Sequence, residues 1–242
     1  AQRLGLQHAM QLVAARATSA LAGAEKASPS AASSPGANSY VVKADSFDIT
    51  PAALVQRTQR AQLTVAGAPG LKLAVVSRAA KDDRVVGALR LRWGTAESVK
   101  GSGALATMIG PMLMEGTSAL SAAQIKERLQ ALDARLNFSS SAGFLNANLE
   151  FPAANTQAVL ELLAQLLVDS KFTQSAFERN QRAMLATVQN IKADTTSVAS
   201  NTLDRSYRPK SLYSDGDPRE VREFTQSEAL IRQASAEALR AY

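Results

Sequence analysis

Apolar and polar residues alternate along three early stretches of the chain, and this period of two predicts β-strands. The stretches are residues 60–65, 71–78 and 84–93. In the third stretch, Leu89, Leu91 and Trp93 fall on one face of the strand. Arg90 and Arg92 fall on the other face, so we expect one buried and one solvated side.

Turn residues and a second alternating stretch complete the predicted sheet. Pro69-Gly70 predicts the turn between the first two strands. Residues 135–151 alternate again around small and polar residues at 141–143, which predicts an antiparallel hairpin with its turn there.

Elsewhere, apolar residues recur every three or four positions, which predicts helices. The predicted helices are two within residues 103–136, followed by 155–170, 173–194 and 226–241. Ser121 and Gln124 form a capping-box signature for the second helix, whose apolar spacing runs on to Leu136. Thr225 and Glu228 form a similar signature for the last helix. This order of elements predicts an α+β fold with two layers, a mostly antiparallel sheet covered by helices.

The start of the chain differs from the rest in composition. Residues 1–24 are rich in Ala and suit a short helix, and residues 27–39 have the small, polar, Pro- and Gly-broken composition of a linker. We therefore divide the chain into an N-terminal helix and flexible linker, residues 1–40, and one α+β domain, residues 41–242. Because the chain has no initial Met, we expect it to be a piece of a longer protein.

Charge and residue content narrow the possible functions. The 27 Lys and Arg residues exceed the 21 Asp and Glu residues, but they are spread along the chain rather than clustered, so nucleic acid is not expected as a partner. Cys is absent and His8 is the single histidine. A histidine-based zinc site and a Ser-His-Asp triad therefore cannot be assembled from this chain alone.

The first predicted helix, over residues 103–114, has an unusual second face. Its core stripe consists of Leu105, Met108, Ile109, Met112 and Leu113. The opposite face consists of Thr107, Gly110, Pro111 and Met114. In a helix, Gly costs about 1 kcal/mol and Pro about 3 kcal/mol relative to Ala, so helix stability did not select this face. An irregular helix kinked against a neighbouring segment would explain it, and so would a lost functional site.

The second explanation follows from a family resemblance. The segments "LRLRWGTAES", "GSGALA" and "MLMEGT" resemble, in order and spacing, the start of the peptidase domain in the pitrilysin and insulinase family of zinc peptidases, the inverzincins. In that family a Gly-x-Ala is followed by His-x-x-Glu-His and then by Met-Leu and Gly-Thr. The resemblance covers residues 58–242 and implies the metallohydrolase fold of the mitochondrial processing peptidases.

The resemblance also implies which residues replace the family's zinc motif. Gly116-Thr117 sets the register, which places the two histidine ligands on Thr107 and Pro111 and the general base on Gly110. The third ligand, a Glu in a segment similar to "FERNQRAMLATVQN", falls on Thr187, 76 positions after Pro111. None of the four can bind zinc as His or Glu does or serve as the base. The domain is therefore predicted to be inactive, with no catalytic residue, metal or other cofactor.

In this family two homologous halves close around a peptide chamber, and only one half holds zinc. The resemblance thus implies a non-catalytic half-domain of a zinc metallopeptidase, with a zinc-bearing half as partner, in the same chain or as a separate subunit, and with a peptide as substrate. A periplasmic location is expected from bacterial relatives. Two alternatives stay open: a structural or assembly subunit resembling the core proteins of respiratory complexes, and a hydrolase that uses other residues.

Overall fold

A computed structural model describes residues 50–65, 68–76, 83–208 and 212–242. The predicted N-terminal helix and linker lie outside the described residues, as does His8. Helices and antiparallel strands make up the described part, which confirms the predicted α+β class. The described residues divide into two compact units, one within residues 1–85 and 151–164 and the other within residues 86–150 and 165–242.

In the first unit, a short helix leads into a hairpin. Helix α1 (Pro51–Arg57) was not predicted; strands β1 (Thr58–Val65) and β2 (Ala68–Val76) pair antiparallel. The predicted turn at Pro69-Gly70 is wrong, because the strands already pair at Val65 and Ala68, which places the Pro-Gly dipeptide inside β2. Among the described residues this sheet consists of β1 and β2 alone, and edge strands are where a sheet tolerates proline.

The second unit is built on a three-stranded sheet. Its strands are β3 (Arg84–Arg92), β4 (Arg135–Ser141) and β5 (Phe144–Pro152), in the order β3-β5-β4. Strands β4 and β5 form the predicted antiparallel hairpin, from the pair Arg135 and Glu150 to the pair Ser141 and Phe144. Along β3, Leu89 and Leu91 are half-buried and Arg90 and Arg92 are exposed, which confirms the predicted alternation.

The helices follow the predicted order, with differences at their ends. They are α2 (Gly103–Leu113), α3 (Ala122–Ala131), α4 (Thr156–Asp169), α5 (Gln174–Ala193), α6 (Thr195–Tyr207), α7 (Phe224–Gln233) and α8 (Ala236–Ala241). The capping box of Ser121 and Gln124 opens α3 as predicted. Leu136 is buried but belongs to β4, since Asp133 adopts a positive φ of 46° just after α3 and ends its helical path.

The C-terminal region departs most from the sequence analysis. Helix α6 was not predicted, because it buries no residue and so lacks an apolar stripe. The predicted capping box of Thr225 and Glu228 is wrong: Glu223 and Gln226 form the box that opens α7. The single predicted helix is two, because Ser235 is extended and its hydroxyl accepts a hydrogen bond from the Ala238 amide, 3.1 Å away, to start α8.

Four helices of the second unit meet in one hydrophobic cluster, which supports α2 from the side opposite the sheet. Helices α2, α5, α7 and α8 contribute the buried residues Met108, Met112, Ala176, Phe177, Ile231, Ala236 and Leu239. Burial of one such large side chain stabilises a fold by about 1.5–3 kcal/mol. Within the described ranges, none of the helices combines the length and the hydrophobicity that crossing a bilayer requires.

Candidate functional site

Helix α2, which carries the predicted remnant of the zinc motif, begins at a tightly held loop. Gly101 has a positive φ of 72°, and its amide donates a hydrogen bond to the carbonyl oxygen of Gly216, 2.8 Å away. The Ser102 hydroxyl donates to the carbonyl oxygen of Val99 (2.6 Å) instead of capping the helix. Near the other end of α2, Pro111 has no amide hydrogen to offer the carbonyl of Thr107.

The three motif positions on α2 do not share one environment. Thr107 and Pro111 are exposed, whereas Gly110 is buried. The Gly110 amide donates a hydrogen bond to Ser140 Oγ on β4, 2.9 Å away. Gly110 lies on the face opposite the core stripe, as Thr107 does, but β4 covers that part of the helix. No local signal revealed this, since Ser140 is 30 positions away along the chain.

Thr187, the fourth predicted position, is exposed on α5, a helix that packs against α2. Val188, the next residue, packs against the hydrophobic cluster that contains Met108 of α2. An ion pair also links α5 to the segment that follows α2, with 2.6 Å between Arg179 Nη2 and Glu115 Oε2. The two segments predicted to carry the lost ligands thus belong to neighbouring helices.

The side chains at these positions do not fit a zinc ion. The Thr107 hydroxyl donates to the carbonyl oxygen of Ala104 (2.9 Å), and the Thr187 hydroxyl donates to that of Ala183 (3.0 Å). Each threonine thus bonds within its own helix, and protein zinc sites use His, Cys, Asp or Glu. In the part of the chain that the structure describes, no three residues of those types come together as a potential metal site.

The Gly116-Thr117 pair has a structural explanation. Gly116 has a φ of 139°, in the region that favours glycine. The buried Thr117 Oγ1 accepts hydrogen bonds from the amides of Ala119 (3.2 Å) and Leu120 (3.0 Å) and from the Gln165 side chain (3.2 Å). These bonds fold the loop between α2 and α3, so this part of the motif keeps a role that needs no metal.

One carboxylate near the start of α2 has a strongly shifted pKa. Asp217 is 5% exposed and sits in the loop that holds Gly101. Hydrogen bonds from the Arg219 side chain, at 2.8 and 2.9 Å, and from the Arg219 amide lower the pKa of Asp217 to about 2. A carboxylate that stays ionised and is bonded on both oxygens is suited to holding a loop and not to giving or taking a proton at neutral pH.

Two other carboxyl groups, those of Glu228 and Asp194, also have a lowered pKa. Hydrogen bonds from Arg232 and Lys192 lower the pKa of Glu228, and hydrogen bonds from Ser197 lower the pKa of Asp194. A carboxyl group whose pKa is lowered stays ionised at neutral pH, so neither Glu228 nor Asp194 is suited to act as a general acid there.

The fold and the candidate site together define an α+β domain in which helix α2 is followed by the Gly116-Thr117 loop. The sequence model of the insulinase family, peptidase family M16, matches residues 75–214, which is more than half of the chain. The chain therefore belongs to this family. No curated protein sequence matches it.

Solved structures show the same fold at low sequence identity. The chain is similar to a protease from Helicobacter pylori (TM-score 0.60, 13% identity, 76% of this chain and 42% of that one). It is similar to a peptidase M16 inactive domain from Pseudomonas fluorescens (TM-score 0.50, 19% identity, 72% and 42%). It is also similar to the periplasmic protease PqqL from Escherichia coli (TM-score 0.52, 13% identity, 88% and 22%). The chain thus spans less than half the length of each.

Proposed function

We propose that this chain is a non-catalytic half-domain of a zinc metallopeptidase, which packs against a zinc-bearing half and forms part of the wall of the peptide-binding chamber. One observation carries the proposal: in the register set by Gly116-Thr117, the zinc motif falls on Thr107, Gly110 and Pro111. Thr187 in place of the third ligand supports it, since two separated segments have both lost their chemistry.

The comparisons support a partner half. The chain covers 42% of the Helicobacter protease and 22% of PqqL, so those proteins contain further polypeptide beside the matched region. In this proposal zinc and the general base reside in the partner half, and this domain holds no cofactor. The substrate is a peptide, and the location is periplasmic, as it is for the protease PqqL.

Zinc analysis of the full-length protein, or of the complex that contains this chain, tests the proposal. Two variants, Thr107→Ala and Thr187→Ala, should leave both the zinc content and the hydrolysis of a quenched fluorescent peptide unchanged. A His→Ala change in an intact His-x-x-Glu-His motif of the partner half should abolish both, and serves as the positive control.

Three results would count against the proposal. Loss of zinc in the Thr107 or Thr187 variant would show that these positions bind metal. Peptide cleavage by this chain alone that survives a chelator would indicate a hydrolase with other residues. A zinc-free complex that cleaves no peptide would indicate an assembly subunit.

A further inference from the structure

Helix α2 touches strand β4 at Gly110 more closely than side chains normally allow. A Cβ atom built on Gly110 would lie 3.1 Å from the carbonyl oxygen of Phe138 and 3.3 Å from both its carbonyl carbon and Ser140 Oγ. Ordinary contacts between non-bonded heavy atoms are about 3.5–4.0 Å. The Gly110 amide bonds to Ser140 Oγ at the same place, 2.9 Å away.

We infer that residue 110 of this chain is the point at which α2 is packed onto the backbone of β4, and that the fold leaves no space there for the acidic side chain of a general base. The assignment of the general base to position 110 rests on the alignment of the zinc motif used in the proposed function. The packing itself rests only on the contact of Gly110 with Phe138 and Ser140.

The closure is local to position 110. Thr107 and Pro111, one turn of helix apart, are both exposed, so larger side chains fit at either position. The positions of the two histidine ligands are therefore open while the position of the base is closed. A chain with the ligands restored would still need the backbone of β4 to give way before Glu could be placed at residue 110.

Helix propensity and packing predict opposite orders of stability for substitutions to Glu at residues 107 and 110. Glu is a better helix former than Thr, and it exceeds Gly by a wider margin. If packing were irrelevant, Gly110→Glu would stabilise the protein more than Thr107→Glu. The close contact with Phe138 reverses this order, because the added atoms must displace a strand backbone.

Thermal unfolding of the chain with these two matched substitutions is the first test. We expect Gly110→Glu to lower the Tm by about 5 °C or more, or to prevent folding, and Thr107→Glu to change it by less than about 2 °C. The uncharged pair Gly110→Gln and Thr107→Gln should show the same order. A Gly110→Glu protein as stable as Thr107→Glu would overturn the inference, and so would a loss seen with Glu but not with Gln.

Amide hydrogen exchange gives a second readout that does not depend on a bulky substitution. Ser140→Ala removes the side-chain acceptor of the Gly110 amide, so exchange at Gly110 should become about fivefold faster. The Ala106 amide, which donates to the Ser102 carbonyl at 2.8 Å, is the control and should not change. Unchanged exchange at Gly110 would show that the contact does not hold α2.

The two proposals can fail separately. Zinc bound through Thr107 or Thr187 would defeat the proposed function and leave the packing of Gly110 intact. Equal stability of the Gly110→Glu and Thr107→Glu variants would defeat the packing inference and leave the non-catalytic role standing.

Discussion

Thr107 and Thr117 lie ten residues apart in the same helix–loop motif, and their surroundings differ in every respect. Thr117 is 5% exposed and its hydroxyl accepts three hydrogen bonds from the loop and from Gln165. Thr107 is exposed and bonds to a carbonyl of its own helix. The part of the motif that folds the loop is recognisable in the sequence, whereas the part that would hold a metal is not. Folding constrains Thr117 through its buried hydrogen bonds and places no such constraint on the exposed Thr107.

The largest loss of stability is expected at Met108 in α2, the residue next to the exposed Thr107. Met108→Ala should destabilise the chain by about 2–5 kcal/mol, because Met108 is fully buried in the four-helix cluster and its removal leaves a cavity. Thr107→Ala, its neighbour, should stay within about 0.5 kcal/mol. Urea unfolding measures both. Similar losses in the two variants would mean that residue 107 is not on an open face.

A matched pair of threonine substitutions tests the comparison directly. Thr117→Val keeps the shape of the side chain but removes the acceptor of three donors, and we expect a loss of about 2–3 kcal/mol. Thr107→Val should cost less than about 0.5 kcal/mol. Denaturant midpoints and m-values of the two variants provide the measurement. A Thr117→Val protein as stable as the wild type would remove the structural explanation for the Gly-Thr pair.

Replacement of Pro111 should increase the stability of the chain. Pro111→Ala restores an amide hydrogen near the last turn of α2, at an exposed position, and should stabilise the chain by about 1 kcal/mol. The gain is smaller than that in a helix centre because α2 ends two residues later. A rise in Tm checks this expectation. A fall would favour the other sequence interpretation, in which the proline shapes a kink that the packing needs.

Low pH should destabilise the loop that holds the start of α2, and we expect this to be the smallest of the four changes in stability. The pKa of Asp217 is lowered from 3.8 to about 2, so the stability that it contributes is fully present above pH about 4. That contribution is lost as the pH falls towards 2. Asp217→Asn should therefore weaken the pH dependence of the Tm between pH 5 and pH 2. An identical pH dependence in the variant would exclude this role for Asp217.

Strong local patterns predicted most of the fold. The alternation along β3, the β4-β5 hairpin and the capping box at Ser121 all follow from short-range rules, and the structure has them where they were expected. The failures fall where neighbouring elements overrule the local signal. Pro69 is tolerated inside β2, and the C-terminal helix divides at Ser235. Helix α6, which has no apolar stripe, gave no periodic signal at all.

The candidate site shows the same limit. The register of the zinc motif and the loss of its chemical groups could be stated from residue types alone, and the assignment of Thr107, Gly110, Pro111 and Thr187 stays a prediction. What the sequence could not show is that Gly110 faces β4, because a helical wheel describes one helix and not what lies against it.

The amino-acid sequence by itself therefore determined the class of fold, the main strands and helices, and the absence of His and Cys ligands in the domain. Each follows from residue type or from a period of a few residues. Tertiary structure alone decided that Thr107 is open while Gly110 is closed. The physical reason is that burial depends on residues such as Ser140, which are distant along the chain and meet α2 only when the sheet has formed.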